Sequence, residues 1–198
     1  WFISKLRNII EAEKKYLINK DIDNINQDML FELKQLGFSD EQIASHLKVS
    51  QTAIRLLRKK LKVNPVYKTV DTCASEFKST TPYHYSTYER PFKKINHDDS
   101  IKIYSIGNEI DIRNKDKILI LGGGPNRIGQ GIEFDYCCCH ASFEAQNEGY
   151  ATIMMNSNPE TVSTDYDTSD RLYFEPLTLE DVLNVLEEEE PNGVIVQF

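Results

Sequence analysis

The sequence predicts an α + α/β chain: a small helical module, then a parallel sheet with helices packed on it. Three observations carry that prediction. The first 62 residues repeat apolar side chains at helical spacing, punctuated by helix caps. Residues 117–155 read as strand, glycine turn, helix and strand, a βαβ unit whose strands are parallel and whose crossover is right-handed. Charge also divides the chain. Of 23 Lys+Arg and 31 Asp+Glu, residues 1–92 hold 15 and 11, and residues 93–198 hold 8 and 20. Such asymmetry supports two domains, and the acidic half is a poor surface for nucleic acid.

In chain order, residues 1–17 place Phe2, Leu6, Ile9, Ile10 and Leu17 near one helical face. Residues 27–36 do the same with Leu30, Leu33 and Leu36, and Gly37 stops that helix. Ser39 with Gln42 is a capping box opening a helix to about Leu47. Ser50 caps a fourth helix, 51–61, whose inner face is Ala53, Ile54, Leu57 and Leu61. Residues 39–62 have the look of a helix-turn-helix, with Arg55, Arg58, Lys59, Lys60 and Lys62 placed to meet phosphates. The plainer reading is an αα-hairpin inside a helical domain. A DNA-binding regulator with a nucleotide-sensing α/β domain is the alternative function.

Residues 63–92, with Pro65, Pro82 and Pro91 among Tyr67, Tyr83, Tyr85 and Tyr88, predict an extended connector anchored by its tyrosines. In 93–116, Ile101, Ile103 and Ile106 followed by Ile110 and Ile112 predict a surface hairpin turning at Gly107–Asn108. The domains expected are therefore 1–65 (helical), 66–116 (connector with an insertion) and 117–198 (α/β).

The α/β domain opens with the apolar run Ile118–Leu121, which ends on Gly122, Gly123 and Gly124. A helix over 131–147 and a second strand, Ala151–Met155, follow. Arg171–Phe174 is a short strand, and Thr178 with Asp181 caps a helix carrying Leu179, Val182, Leu183 and Leu186. Glu187–Glu190 oppose the negative end of that helix's dipole and read as a solvated acidic tip. Gly193–Phe198 is a further buried strand.

Ligands on such sheets bind beyond the carboxyl ends of the strands. Two polar loops meet there, Gly122–Asp135 and Asn156–Asp170. The first fits neither familiar phosphate motif. Arg127 stands where a dinucleotide fingerprint needs its third glycine, and Gln130 and Gly131 replace the Lys and Ser/Thr of a P-loop. A glycine-rich loop for an anionic or polar ligand at a helix start is what the residues support. Arg127 supplies a fixed cation and a five-donor fork; its structural alternative is a brace to Glu133, Asp135 or Glu160. Glu160 faces it from the second loop, either in the cleft or as a loop brace, and a nearby cation favours its ionised form. Asn126, Gln130, Asn156, Asn158, Thr161, Ser163 and Thr164 add neutral donors and acceptors.

Cys137, Cys138 and Cys139 lie about 100° apart on a helix and cannot converge on one metal. Packed free thiols are expected, with Cys73 structural and His140 packed rather than catalytic. No catalytic residue and no metal site is assigned. The absence of an apolar run near 18 residues predicts a soluble, intracellular protein, cytoplasmic with the mitochondrial matrix as alternative. A start at Trp1 inside a helix suggests a piece of something longer.

Two long strings, GGGPNRIGQGIEFDYCC and NPETVSTDYDTSDRLYFEP, closely resemble the carbamoyl phosphate synthetase large subunit, at the start of its carbamoyl-phosphate-forming half. NPVYKTVDTCASEF and the preceding helices extend the likeness over nearly the whole chain. The resemblance implies an oligomerisation domain joined to a Rossmann-like parallel-sheet pre-ATP-grasp domain, truncated before the ATP-grasp domain. It also implies ATP and Mg²⁺, held mainly by that missing domain, and a homo-oligomer built through the helices. The implied partners are the remaining large subunit and a glutamine amidotransferase subunit or domain, with neither nucleic acid nor membrane. In the family, one half makes carbamate from bicarbonate and ammonia, and a tunnel carries it to the second half for phosphorylation. Arg127 and Glu160 match positions near the tunnel mouth. Asn126, Gln130, Asn158 and Thr161, with Gly122, Gly123, Gly124, Gly129 and Gly131, would then shape a passage for an unstable anion. The chain alone is expected to be inactive.

Overall fold

The computed structural model describes residues 1–74, 76–95, 100–104, 107–110, 116–123 and 133–196. In chain order the elements are α1 (Phe2–Tyr16), α2 (Gln27–Gln35), α3 (Asp40–Leu47), α4 (Gln51–Lys60), β1 (Val66–Thr69), β2 (Tyr83–Thr87), β3 (Phe92–Ile95) and β4 (Ile101–Tyr104). They continue with β5 (Lys117–Leu121), α5 (Glu133–Asn147), β6 (Ala151–Asn156), β7 (Arg171–Phe174), α6 (Leu179–Glu189) and β8 (Gly193–Ile195). The chain forms two compact units, Trp1–Val66 with Thr87–Ile106, and Tyr67–Ser86 with Gly107–Phe198.

In the first unit the expected caps at Ser39 and Ser50 are present: Ser39 and Gln42 form a reciprocal box, and Ser50 accepts from Ala53 N at 3.2 Å. Asn26 adds a cap to α2, accepting from Met29 N at 3.0 Å. Leu17, Leu30, Leu33, Ile43 and Ile54 are fully buried at its centre. Two expectations are corrected here. Phe2, Leu6 and Ile10 are 78%, 60% and 50% exposed, so α1 is anchored within this unit by Ala12, Tyr16 and Leu17 at its carboxyl end. Arg58, read as a phosphate-facing cation, is 1% exposed. Its Nε and Nη2 donate to the Asp40 carboxylate at 2.8 and 2.9 Å, and its Nη1 donates to Val63 O at 3.1 Å. Lys34 Nζ adds a contact to Asp40 at 3.3 Å. The guanidinium locks α4 to the start of α3 and is spent on that task.

The second unit holds a six-stranded sheet in the order β1-β2-β7-β6-β5-β8. β5 pairs in parallel with β6 (Lys117↔Ala151 to Leu121↔Met155) and with β8, and β6 and β2 each pair in parallel with β7. All six residues of β6 are buried, as a central parallel strand requires. Side-chain alternation splits the core in two. Leu119, Ile153, Met155 and Tyr173 pack with Val185 of α6, while Ile120, Met154 and Leu172 pack with Cys138 of α5.

The proline- and tyrosine-rich stretch was expected to be a connector; it contributes β1 and β2 to this sheet, and Tyr67 is 2% exposed against Tyr173. The expected hairpin at Gly107–Asn108 is also replaced. β4 pairs antiparallel with β3, Phe92↔Tyr104 to Ile95↔Ile101. Residues 107–110 serve β1 instead: Tyr67 N donates to Asn108 Oδ1 at 2.8 Å and Thr69 N to Glu109 Oε2 at 2.9 Å. Ile103 belongs to β4, Ile110 packs on the α6 side of the sheet, and Ile106 and Ile112 lie outside the described residues.

The acidic tip is only partly solvated. Glu189 is fully buried, with Arg171 Nε and Nη2 each at 2.7 Å, Lys117 Nζ at 3.4 Å and the Tyr173 hydroxyl donating to it. Cations at the amino ends of β5 and β7 receive the carboxylate that the helix dipole disfavours. Burial, then the Glu189 charge, pushes the Tyr173 phenol far above its ordinary range.

Candidate functional site

β5 and β6 end side by side, so the loops that follow them start from one edge of the sheet. Gly122 N donates to Met155 O at 2.7 Å, which extends the ladder one residue past β5. A Cβ on Gly122 would lie 2.4 Å from Asn156 Nδ2 and 2.7 Å from Cγ, so this first glycine makes room for the last side chain of β6.

Asn156 is 1% exposed and works in both directions. Its Nδ2 donates to Ser163 Oγ at 3.1 Å and to Asp135 Oδ1 at 3.4 Å. Its Oδ1 accepts from Asn158 N at 2.9 Å, and Asn158 Oδ1 in turn accepts from Glu160 N at 2.9 Å. These are successive side-chain-closed turns. They fix the backbone that presents Glu160.

Asp135, in the first turn of α5 and 7% exposed, is the hub. Ser163 N and Ser163 Oγ each donate to it at 2.7 Å, the Thr161 hydroxyl donates to Oδ2, and Asn156 supplies the fourth donor. Thr164 closes the same turn, accepting from Thr161 N at 3.2 Å and donating to Thr161 O at 2.7 Å. The far end of the loop is tied to α5 as well, because Ser142 Oγ donates to Thr168 O at 2.6 Å. The Asp135 carboxylate holds four donors on its two oxygens. It has no remaining reason to seek a ligand.

Of the site residues expected from sequence, Gly122 and Gly123 lie at the end of β5, and Asn158, Glu160 and Thr161 lie on the loop after β6. Asn158 and Thr161 are half-buried in the network just described, and Glu160 is exposed. Gly124, Asn126, Arg127, Gly129, Gln130 and Gly131 lie outside the described residues. The central part of Asp135 and Ser163 was not foreseen. The readable signal was an acid in the first turn after a glycine loop, facing a hydroxyl-rich Thr-Val-Ser-Thr run.

The cysteine row divides. Cys138 and Cys139 are buried, their thiols pushed up to about 12 and about 11 chiefly by burial and then by the Asp135 charge. Cys137 is exposed, contrary to the expected packing. His140 is exposed too, edge-on to Tyr136 at 4.3 Å. At the neighbouring strand end, Glu175 is buried and accepts from Ser86 N, and burial raises its pKa. Among the described residues no helix is long and apolar enough to cross a membrane.

Comparison with known proteins follows the same two-part division. Residues 1–62 match the carbamoyl-phosphate synthetase large chain oligomerisation domain, and residues 114–198 match the carbamoyl phosphate synthase preATP-grasp domain. The chain is 55% identical over 198 residues to the chloroplastic, arginine-specific carbamoyl phosphate synthase large chain of Oryza sativa subsp. japonica, all of this chain and 15% of that one. It is 54% identical over 198 residues to the carbamoyl phosphate synthase large chain of a Nostoc species, covering 16% of it. To that of Archaeoglobus fulgidus it is 51% identical over 201 residues, covering 17%. It thus spans about one sixth of the relatives it matches. Two domains of one large chain in tandem, with 51–55% identity over the whole chain, establish that it belongs to the carbamoyl phosphate synthase large-chain family.

Proposed function

We propose that this chain serves an ATP-dependent carbamoyl phosphate synthase as an oligomer-forming helical section followed by the domain preceding an ATP-grasp domain. The loops after β5 and β6 then line the cleft or passage that takes carbamate to its phosphorylation. Arg127, Glu160, Asn126, Gln130, Asn158 and Thr161, on a frame of Gly122, Gly123, Gly124, Gly129 and Gly131, are the residues proposed for it. The observation that carries the reading is the 51–55% identity to synthase large chains over the whole length of this chain. The packing agrees with it, because Asp135 and Asn156 hold the second loop against the sheet edge where the first begins.

The described residues do not fit a Mg²⁺–nucleotide site. Asp135 is saturated by donors, and no three His, Cys, Asp or Glu side chains converge among them. Phosphoryl transfer needs such carboxylates and a phosphate cradle. We propose that ATP and Mg²⁺ are held by another part of the synthase, and this chain is given no catalytic group. Proposed partners are the remaining large chain, a glutamine amidotransferase subunit or domain, and further copies meeting through the helical unit. A cytoplasmic location is proposed, with the mitochondrial matrix as the alternative.

The reading is tested by exchange. The matching section of a bacterial relative's large chain is replaced by this sequence, and carbamoyl phosphate formation from bicarbonate, a nitrogen donor and ATP is assayed. The hybrid should retain synthesis, while the purified 198-residue chain should show no bicarbonate-dependent ATPase. A folded hybrid without synthesis, or an isolated chain that hydrolyses ATP, contradicts the proposal.

A further inference from the structure

We infer that Asp135 is a positioning residue for the synthase reaction: through Thr161, Ser163 and Asn156 it sets where the turn bearing Glu160 stands relative to the start of α5. The inference rests on the passage reading proposed above and adds to it a residue that touches no substrate. Three features of the geometry carry it.

Asp135 is the only connection the described hydrogen bonds provide between the amino end of α5 and the 156–164 turn, and it is multiple. One backbone N–H, two hydroxyls and one amide converge on two oxygens. The turn itself is built from short-range links that run outward from the same point, Asn156 to Asn158 and Asn158 to Glu160. Those links, with Asn156 Nδ2 donating to Ser163 Oγ, tie the turn to the end of β6. The Asp135 bonds tie it to the start of α5. Finally, Asn156 is wedged against Gly122, so a shift of the turn is transmitted to the first residue after β5. One buried carboxylate therefore places the second loop and reaches Gly122, where the first begins, and charge-assisted bonds of this kind are about twice as strong as neutral ones.

Asp135→Asn keeps the shape and removes the charge. With its carbonyl in the place of Oδ2 it keeps Thr161 and Ser163 N but turns an N–H₂ towards the Asn156 amide; reversed, it loses Thr161 and Ser163 N, so it cannot hold all four donors. Thr161→Val is a milder version that removes one hydroxyl at constant volume, and Thr161→Ser restores the hydroxyl. Two readouts are taken: hydrogen exchange of residues 157–164 in the full chain, and ATP consumed per carbamoyl phosphate formed in the complete enzyme. A variant that only lowers the folded fraction reduces both rates together and leaves that ratio unmoved.

Asp135→Asn is expected to speed exchange of the turn about tenfold, the equivalent of about 1.4 kcal/mol. It should also raise the ATP:product ratio at least about twofold, because a small misplacement lets an unstable intermediate escape. Thr161→Val should move both in the same direction, and Thr161→Ser should bring both back. Unaltered exchange in Asp135→Asn overturns the inference. So does faster exchange with an unchanged ratio while Glu160→Gln raises it, which would leave the passage reading standing and Asp135 as a plain brace. If neither Glu160→Gln nor Asp135→Asn moves the ratio, the passage reading falls and the inference with it. Should Asp135→Asn not fold, the Thr161 pair decides by the same criteria.

Discussion

At the scale of single residues, the site edge is governed by contacts too close to be optional. Gly122 is the sharpest case, since any side chain there must displace Asn156, which is buried and already committed to Asp135, Ser163 and Asn158. Gly122→Ala should cost about 1–3 kcal/mol, the usual range for forced overpacking. Urea unfolding measures it directly, and an unchanged midpoint would show that Asn156 can step aside freely. Glu189 shows the same logic at the opposite edge of the sheet. Four contiguous glutamates look like a surface tip, yet among the described residues one of them is the most buried acid of the unit because Arg171, Lys117 and Tyr173 converge on it. Nothing local to Glu187–Glu190 distinguishes its third member. Arg58 is the cationic counterpart, a residue that reads as exposed and basic until Asp40, 18 positions away, is seen to claim it.

At the scale of elements, those set by local rules were legible and those set by distant pairing were not. The caps at Ser39, Ser50 and Thr178 and the apolar runs at Ile118–Leu121, Ala151–Met155 and Arg171–Phe174 mark their elements with little error, because capping and alternation act within a few residues. β1 and β2 escaped because Pro65, Pro82 and four tyrosines mimic a linker, and their place depends on pairing with β7 about 90 residues later. The 107–110 stretch was misread for a related reason: its polar side chains serve β1, 40 positions back. At the site, the glycines and the Asn-Pro-Glu-Thr turn were visible as chemistry. The bonds that organise them are tertiary, and so was the importance of Asp135. β2 also carries a titration. His84 is 5% exposed with Nδ1 unpartnered, and its pKa is lowered by burial and then by Arg171. The native state resists protonation while the unfolded chain takes up a proton at about 6.5, so stability falls as pH drops below 6.5 towards the lower native value. Glu175 acts oppositely: its native pKa lies above 4.5, so the stability it contributes is present below 4.5 and lost as pH rises through the native value. His84→Met, which keeps the volume and removes the titration, should flatten the acid limb of stability against pH. An identical limb in wild type and variant would assign that loss elsewhere.

At the scale of the whole molecule, the chain is two independently cored units matching successive domains of one large enzyme. A DNA-binding regulator is not supported: the helical unit matches an oligomerisation domain, and one of its five candidate phosphate contacts is sealed inside. On the proposed function, the loops after β5 and β6 act together on an intermediate passing towards a second phosphorylation. The decisive variant is Arg127→Ala in the complete synthase, with carbamoyl phosphate formation and bicarbonate-dependent ATP hydrolysis measured on the same preparation. Product formation should fall by at least about tenfold more than ATP hydrolysis does, the scale expected when a positioned charge is lost. Equal loss of the two, or no loss of either, would show that the loops play no such part.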